Sequence, residues 1–270
     1  MSRNSRIILV AGGASGLGKE LVLIAAEKGY RVAIIDTNEA RAKQLCTKLA
    51  GDNIEHFFIR CDIRSEHECR RAVNRILQRW GHIDLLIQSA GVATSGLVET
   101  ITQEHWRQQI DVNLLGTVNL NQVVLRVMKQ QRFGHIVNVA GLIGVLPTPS
   151  MSSYAATNAA IIAYSESLYT ELEPLNINVS VVCPHFFKSN LHENIYTSDP
   201  VARARFERLL NRTNITTDEV AKKTFTQIEK KTFFILPHPN SGALWRQKRW
   251  FPKRFYRSLA SLAKKVRPTP

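Results

Sequence analysis

Apolar and polar positions follow two rhythms along this chain, and the two alternate. Short apolar runs recur at 7–10, 31–35, 54–60, 83–87, 134–139, 177–182 and 233–236. Strands buried on both faces read as such continuous runs of Val, Ile and Leu. Between them lie longer stretches with apolar residues three and four apart, at 19–26, 38–49, 65–80, 102–110, 112–131 and 152–172. These predict helices. Ser65 caps one of them, Glu68 is placed to complete a capping box, and Gly81 ends it; Thr216 and Glu219 form a second such pair. Strands alternating with helices imply βαβ units and right-handed crossovers. The expected fold class is α/β: a doubly wound, Rossmann-type parallel sheet in three layers. One such domain is expected over 1–240, followed by an extension over 241–270.

A doubly wound sheet binds its ligand beyond the carboxyl ends of its strands. The residues just after each strand therefore carry the argument. After the first comes a glycine-rich turn in which Gly12, Gly16 and Gly18 are spaced G-x-x-x-G-x-G. Such a turn needs φ > 0 and a close backbone approach to its ligand. The helix behind it aims free N–H groups and its positive dipole end at a pyrophosphate. Gly12, Ser15, Gly16, Leu17 and Gly18 are thus candidate contacts to a dinucleotide. Asp36 ends the second strand, where a carboxylate accepts hydrogen bonds from ribose hydroxyls and repels a 2′-phosphate. NAD(H) is favoured over NADP(H), with Arg41 the one nearby cation that opposes the preference. Asp62 follows the third strand and is a candidate for the adenine.

With these residues in view, the stretch from about Arg6 to Leu236 resembles the short-chain dehydrogenase/reductase family. The glycine turn matches the family's T-G-x-x-x-G-x-G, with Ala11 in place of Thr. Cys61-Asp62-Ile63 matches its adenine-contacting segment, and Gln88-Ser89-Ala90-Gly91 its N-N-A-G. Asp111 to Gly116 matches the helix bearing a catalytic Asn, here Asn113. Tyr154 and Asn158 fall on Y-x-x-x-K, and Cys183 to Ser189 on the loop that contacts the nicotinamide. The resemblance implies cofactor contacts from Asp62, Ile63, Ala90, Gly91, Tyr154, Asn158, Pro184 and Ser189, and Tyr154 as acid/base for hydride transfer to or from an alcohol or ketone. It also implies a homo-oligomer.

Two of the family's four catalytic groups are replaced. The Lys position is Asn158, which carries no charge to lower the Tyr pKa. The Ser position, thirteen residues before the Tyr, is Gly141, which has no hydroxyl. Ser150, Ser152 and Ser153 are candidates to supply one, and His185 is a candidate replacement acid/base because it titrates near neutrality. Impaired catalysis is the expectation. The alternative is a non-catalytic nucleotide- or lipid-binding relative serving as sensor, scaffold or peripheral membrane protein.

Composition modifies this picture in three places. Phe186, Phe187, Leu191, Ile195, Tyr196, Phe206, Leu209 and Leu210 cluster in a substrate loop at about 186–215 and suggest a lipophilic ligand. Of the net charge of +14, nine positive charges and no negative ones fall in 241–270. Within 244–267, aromatics interleave with these cations, and Phe255, Leu259, Leu262, Ala263 and Val266 recur at helical spacing. A basic amphipathic helix of this kind suits a membrane surface, or folds back over the substrate entrance. The cations match no recognition motif, so nucleic acid is not an expected partner. Cys46, Cys61, Cys69 and Cys183 show no metal-ligand spacing, so no metal is expected and reduced thiols point to the cytoplasm. No apolar run is long enough to span a bilayer, and Ile7 opens a strand too early for a signal peptide.

Overall fold

The computed structural model describes residues 6–50, 54–189, 191, 193, 195–197 and 199–264. Seven parallel strands form one sheet: β1 (Ile7–Ala11), β2 (Arg31–Asp36), β3 (Phe57–Arg60), β4 (Leu85–Gln88), β6 (Gly134–Val139), β7 (Ile177–Val182) and β9 (Phe234–Ile235). Their spatial order is β3-β2-β1-β4-β6-β7-β9, so the chain reverses direction between β1 and β4. All five residues of β1 are fully buried. Ile7 and Leu9 pack with one helical layer, Ile8 and Val10 with the other. That two-sided burial is why β1 reads as an unbroken apolar run. Helices α3 (Glu66–Trp80), α5 (Gly116–Gln131) and α6 (Ser152–Leu172) cover the first face; α1 (Gly16–Glu27), α2 (Glu39–Leu49) and α8 (Thr217–Glu229) cover the second. The expected three-layer α/β fold is the one observed.

Several local expectations are refined. The third strand begins at Phe57 and the fourth at Leu85, each later than its apolar run. Ser65 caps α3 by accepting from the Glu68 N–H, but Glu68 does not return the bond. Its carboxylate accepts instead from the Asp62 N–H at 2.9 Å and braces the turn after β3. The box at Thr216 and Glu219 is complete. The stretches 102–110 and 112–131 do not form two separate helices. Helix α4 (Gln103–Gln109) runs through a π-helical turn, Ile110–Leu115, directly into α5. Gly116, packed against Ile63, opens α5 at that change, which is made by widened hydrogen bonding within Ile110–Leu115.

A small second sheet pairs β5 (Ala93–Thr94) with β8 (Ile195–Tyr196). Together with α7 (Pro200–Asn211) it holds a separate apolar cluster around Ala93, Met151, Phe206 and Leu210. This cluster walls the substrate side of the cleft. The basic extension forms two helices, α9 (Ser241–Trp250) and α10 (Pro252–Lys264). Pro252 opens the second, where its missing N–H costs nothing. Trp245 stacks on Phe234 with ring centroids 4.6 Å apart, and the Lys248 ammonium donates to the Val145 carbonyl. Residues Lys265, Val266 and Arg267 of the expected amphipathic stretch lie outside the described residues. No helix among the described residues is long and apolar enough to cross a membrane.

Candidate dinucleotide and substrate cleft

The carboxyl ends of β1, β2, β3, β4, β6 and β7 open into one cleft of about 370 Å³. Its nucleotide end is built on the turn between β1 and α1. Gly12 has φ +68, and a Cβ there would lie 2.7 Å from the Ala90 backbone. A Cβ on Gly18 would lie 2.2 Å from the Gly12 carbonyl oxygen. The two glycines let α1 lie directly against the turn and the turn against β4. Ser15 is the N-cap of α1 but makes no side-chain cap hydrogen bond, so the first helical turn is left for another acceptor. Asp36 accepts from the Ala14 N–H at 3.0 Å and the Asn38 N–H at 2.9 Å, which fixes its carboxylate beside the glycine turn. Asp62 is held by Arg64 through Nε and Nη2, and this cation keeps its carboxyl below the usual range.

The opposite end carries Asn113, Gly141, Tyr154 and Asn158. The π turn brings Asn113 against the loop after β4. Its Nδ2 donates to the Val92 carbonyl and its Oδ1 accepts from the Val92 N–H, both at 2.9 Å. Gln88 donates to Thr117 Oγ1 at 2.9 Å, and Thr117 donates to the Asn113 carbonyl at 2.6 Å. Gln88 and Asn113 thus stitch β4 to the π turn and fix the Gly91–Val92 wall of the cleft. Asn113 holds this wall in place through two backbone bonds.

Tyr154 and Asn158 stand one turn apart on α6, and Asn158 Nδ2 donates to the Tyr154 carbonyl at 2.6 Å. Burial pushes the Tyr154 hydroxyl up to about 12, with only the neutral Asn158 amide acting against it. Gly141 is in extended backbone, a conformation any residue adopts. A Cβ built on it would sit 3.1 Å from Asn158 Oδ1. The carboxamide of Asn158 therefore fills part of the space a side chain at 141 would need.

A family model described as short chain dehydrogenase matches residues 6–200. The chain belongs to the short-chain dehydrogenase family. It is 31% identical over 191 residues to carbonyl reductase family member 4 of Xenopus laevis, covering 71% of this chain and 79% of that protein. A short-chain dehydrogenase/reductase from Burkholderia phymatum, solved with NAD, superposes with a TM-score of 0.87 at 23% identity, covering 94% of this chain and 96% of that one. ElxO, solved with NADP bound, superposes with a TM-score of 0.77 at 21% identity, covering 88% and 99%.

In this short-chain dehydrogenase the cleft gathers nearly all of the residues that sequence reasoning selected. Gly12, Ser15, Gly16, Leu17, Asp36, Asp62, Ile63, Ala90, Gly91, Asn113, Gly141, Tyr154, Asn158, Pro184 and Ser189 all line it. Gly18 does not; it lies behind Gly12 as a packing surface. None of Ser150, Ser152 and Ser153 lines the cleft, and Ser153 Oγ is bonded to Gln109. The wall does include a hydroxyl that was not anticipated, Thr148, whose Oγ1 has no partner among the described residues. The expected lipophilic set divides: Phe186, Phe187, Leu191, Tyr196 and Leu210 reach the cleft, whereas Ile195 and Phe206 are core. No described residue of the basic extension lines the cleft, although Lys248 of α9 reaches the Val145 carbonyl between the wall residues Ile143 and Leu146.

Proposed function

We propose that this chain binds NAD(H) and acts on a lipophilic alcohol or ketone, with hydride transfer slowed by an altered acid/base group. One observation carries the reading: Tyr154, Asn158 and Gly141 stand together in a cleft whose other end holds the glycine turn and Asp36. The close glycine packing and the uncapped first turn of α1 suit a dinucleotide, with the pyrophosphate at Gly12, Ser15, Gly16 and Leu17. Asp36 would take the adenosine ribose, Asp62 and Ile63 the adenine, and Ala90 and Gly91 the middle of the molecule. Tyr154 and Asn158 would hold the nicotinamide ribose, and Pro184 and Ser189 the nicotinamide amide. A nicotinamide held there supplies or accepts the hydride.

The protein's own task is the proton. A phenol with a pKa of about 12 is ionised in roughly one molecule in 10⁵ at pH 7, against about one in 10³ for an unperturbed Tyr. As a base Tyr154 is scarce, and as an acid it is weak. A Lys at 158 would correct both by Coulomb attraction, and Asn158 does not. A Ser at 141 would bond the substrate oxygen, and Gly141 does not. Leu142, Ile143, Leu146 and Phe186 add an apolar lining that favours a lipophilic substrate.

Titration of purified protein with NADH and NADPH, followed by a screen of lipophilic alcohols and ketones, tests the reading. NADH is expected to bind more tightly than NADPH, with turnover slow for all substrates. Binding of neither nucleotide would remove the oxidoreductase reading. Tight NADH binding with no turnover would leave the non-catalytic, sensor-like alternative.

A second property is favoured by the exposed surface of α9 and α10. Trp250 is 72% exposed and Phe251 59% at the elbow between them. Arg246, Lys248, Arg249, Lys253, Arg254 and Arg257 surround that elbow in sequence, with no acidic residue after Glu229. Large exposed aromatics among cations suit the interface of an anionic bilayer. We expect co-sedimentation with anionic vesicles, weakened by salt and by Trp250→Ala with Phe251→Ala. Equal recovery with neutral vesicles would overturn the anionic preference, and none with either would count against membrane contact.

A further inference from the structure

Near the adenosine end of the cleft, two charged residues far apart in sequence meet. Arg41 Nη1 donates to Glu193 Oε2 at 2.5 Å across 152 positions. Arg41 stands in the first turn of α2, immediately beyond Asp36. Its N–H donates to Asn38 Oδ1, and the Asn38 N–H in turn donates to Asp36 Oδ1. The guanidinium is close enough to feel the Asp36 carboxylate as well as that of Glu193, and both favour its charged form. Glu193 belongs to a different part of the molecule, the loop between β7 and β8 that also supplies Leu191 to the cleft wall. The substrate loop thus reaches across to occupy a cation close to Asp36, while Arg64, which lines the cleft, is held by Asp62.

We propose that Glu193 is a cofactor-specificity residue: it engages the Arg41 guanidinium and so withholds that group from a 2′-phosphate. This rests on the reading that the cleft holds a dinucleotide. A guanidinium beside the ribose is the usual means of accepting a 2′-phosphate. Asp36 discriminates against that phosphate by repulsion, and Glu193 does so by occupying the cation that would offset the repulsion. The two carboxylates therefore act together, one directly and one through Arg41. The pair is about 44% and 33% exposed, so solvent screens it and a phosphate dianion can compete for Arg41. The masking is accordingly graded rather than absolute. An ion pair between α2 and the substrate loop also links cofactor choice to the position of that loop.

The test compares NADH and NADPH dissociation constants, by calorimetry at fixed low salt, for the full chain and three variants. Glu193→Gln keeps the shape of the side chain and removes its charge. We expect it to tighten NADPH binding about five- to tenfold while NADH changes less than about threefold. Arg41→Ala should leave NADPH weak. The double variant Glu193→Gln with Arg41→Ala should lose the gain, because the gain is delivered through Arg41. An unchanged NADPH/NADH ratio in Glu193→Gln, with NADH binding retained, would overturn the proposal alone. So would a gain that persists in the double variant. Failure of the unaltered protein to bind NADH would overturn the underlying dinucleotide reading, and the proposal with it.

Discussion

The two ends of the cleft are built on the same sheet, yet they differ in what their side chains can do. At the nucleotide end the contacts are mostly backbone: glycines that permit close approach, a helix terminus, and a carboxylate pinned by two N–H groups. At the chemical end the decisive groups on the proposed reading are side chains, with Gly141 and Asn158 at two of those positions. Backbone geometry depends on the whole β1–α1 unit and resists change. A hydroxyl or an ammonium is lost by one substitution without disturbing the fold. The comparison teaches that binding and turnover are separable here, and each variant below tests one end against the other.

The largest effect is expected at the nucleotide end. Gly18→Ala places a methyl 2.2 Å from the Gly12 carbonyl oxygen, a backbone atom that cannot rotate away. Either α1 or the turn must shift, and the pyrophosphate site shifts with it. We expect NADH affinity to fall by at least about 30-fold, with a stability loss of about 1–3 kcal/mol from overpacking. Fluorescence titration and thermal unfolding measure the two separately. Unchanged affinity would mean that the dinucleotide does not sit on this turn.

The next effect belongs to the chemical end. Gly141→Ser alone meets Asn158 Oδ1 at 3.1 Å from its Cβ, and Asn158→Lys alone brings a charge without the hydroxyl. Together they supply both groups and replace the Oδ1 atom that meets position 141. We expect the double variant to raise turnover about tenfold or more over wild type, and by more than the product of the single effects. The pH profile should move too. With the Tyr154 pKa at about 12, oxidation by the unaltered protein should keep rising with pH through the alkaline range. A Lys at 158 lowers that pKa, so the double variant should reach its plateau at lower pH. A double variant with unchanged rate and profile would show that the acid/base group is not Tyr154.

Sequence legibility followed the same division. The glycine turn, the capped start of α3 and the alternation of strands with helices were readable because they rest on local signals within a few residues. The Gly141 and Asn158 replacements were readable as departures from a spacing, but their mutual contact was not, since it depends on how β6 and α6 face each other. The π turn gave no warning because its own residues, Ile110 to Leu115, include neither Gly nor Pro. The lipophilic residues of 186–215 were visible as a group. Which of them reach the cleft depends on α7 packing, and Phe206 turned out to be fully buried core. Glu193 meeting Arg41 had no local signature at all.

A smaller effect is expected where the two ends join. Asn113→Ala removes both bonds to Val92, leaving a backbone N–H and a carbonyl of the cleft wall without these partners. Those groups are partly buried, so the loss should be about 1–2 kcal/mol of stability. NADH affinity should fall no more than about fivefold, because Gly91 and Val92 form only the middle of the cleft. A loss of turnover without either change would give Asn113 a direct part in the chemistry.

The smallest effect is expected at His185. Its Nδ1 accepts from the Phe186 N–H at 2.7 Å, and the His185 backbone N–H donates to His238 Nδ1 at 3.2 Å. Desolvation lowers its pKa below the ordinary value, so at pH 7 the ring is neutral and Nδ1 is committed as an acceptor. The proton then sits on Nε2, and a neutral imidazole N–H is a far weaker acid than an imidazolium. A general acid needs a proton it releases near the operating pH, and this ring does not carry one. His185→Ala should therefore change turnover by less than about threefold. A loss beyond about tenfold, at unchanged NADH affinity, would transfer the acid/base role from Tyr154 to His185 and make the chemical end a rebuilt site rather than a depleted one.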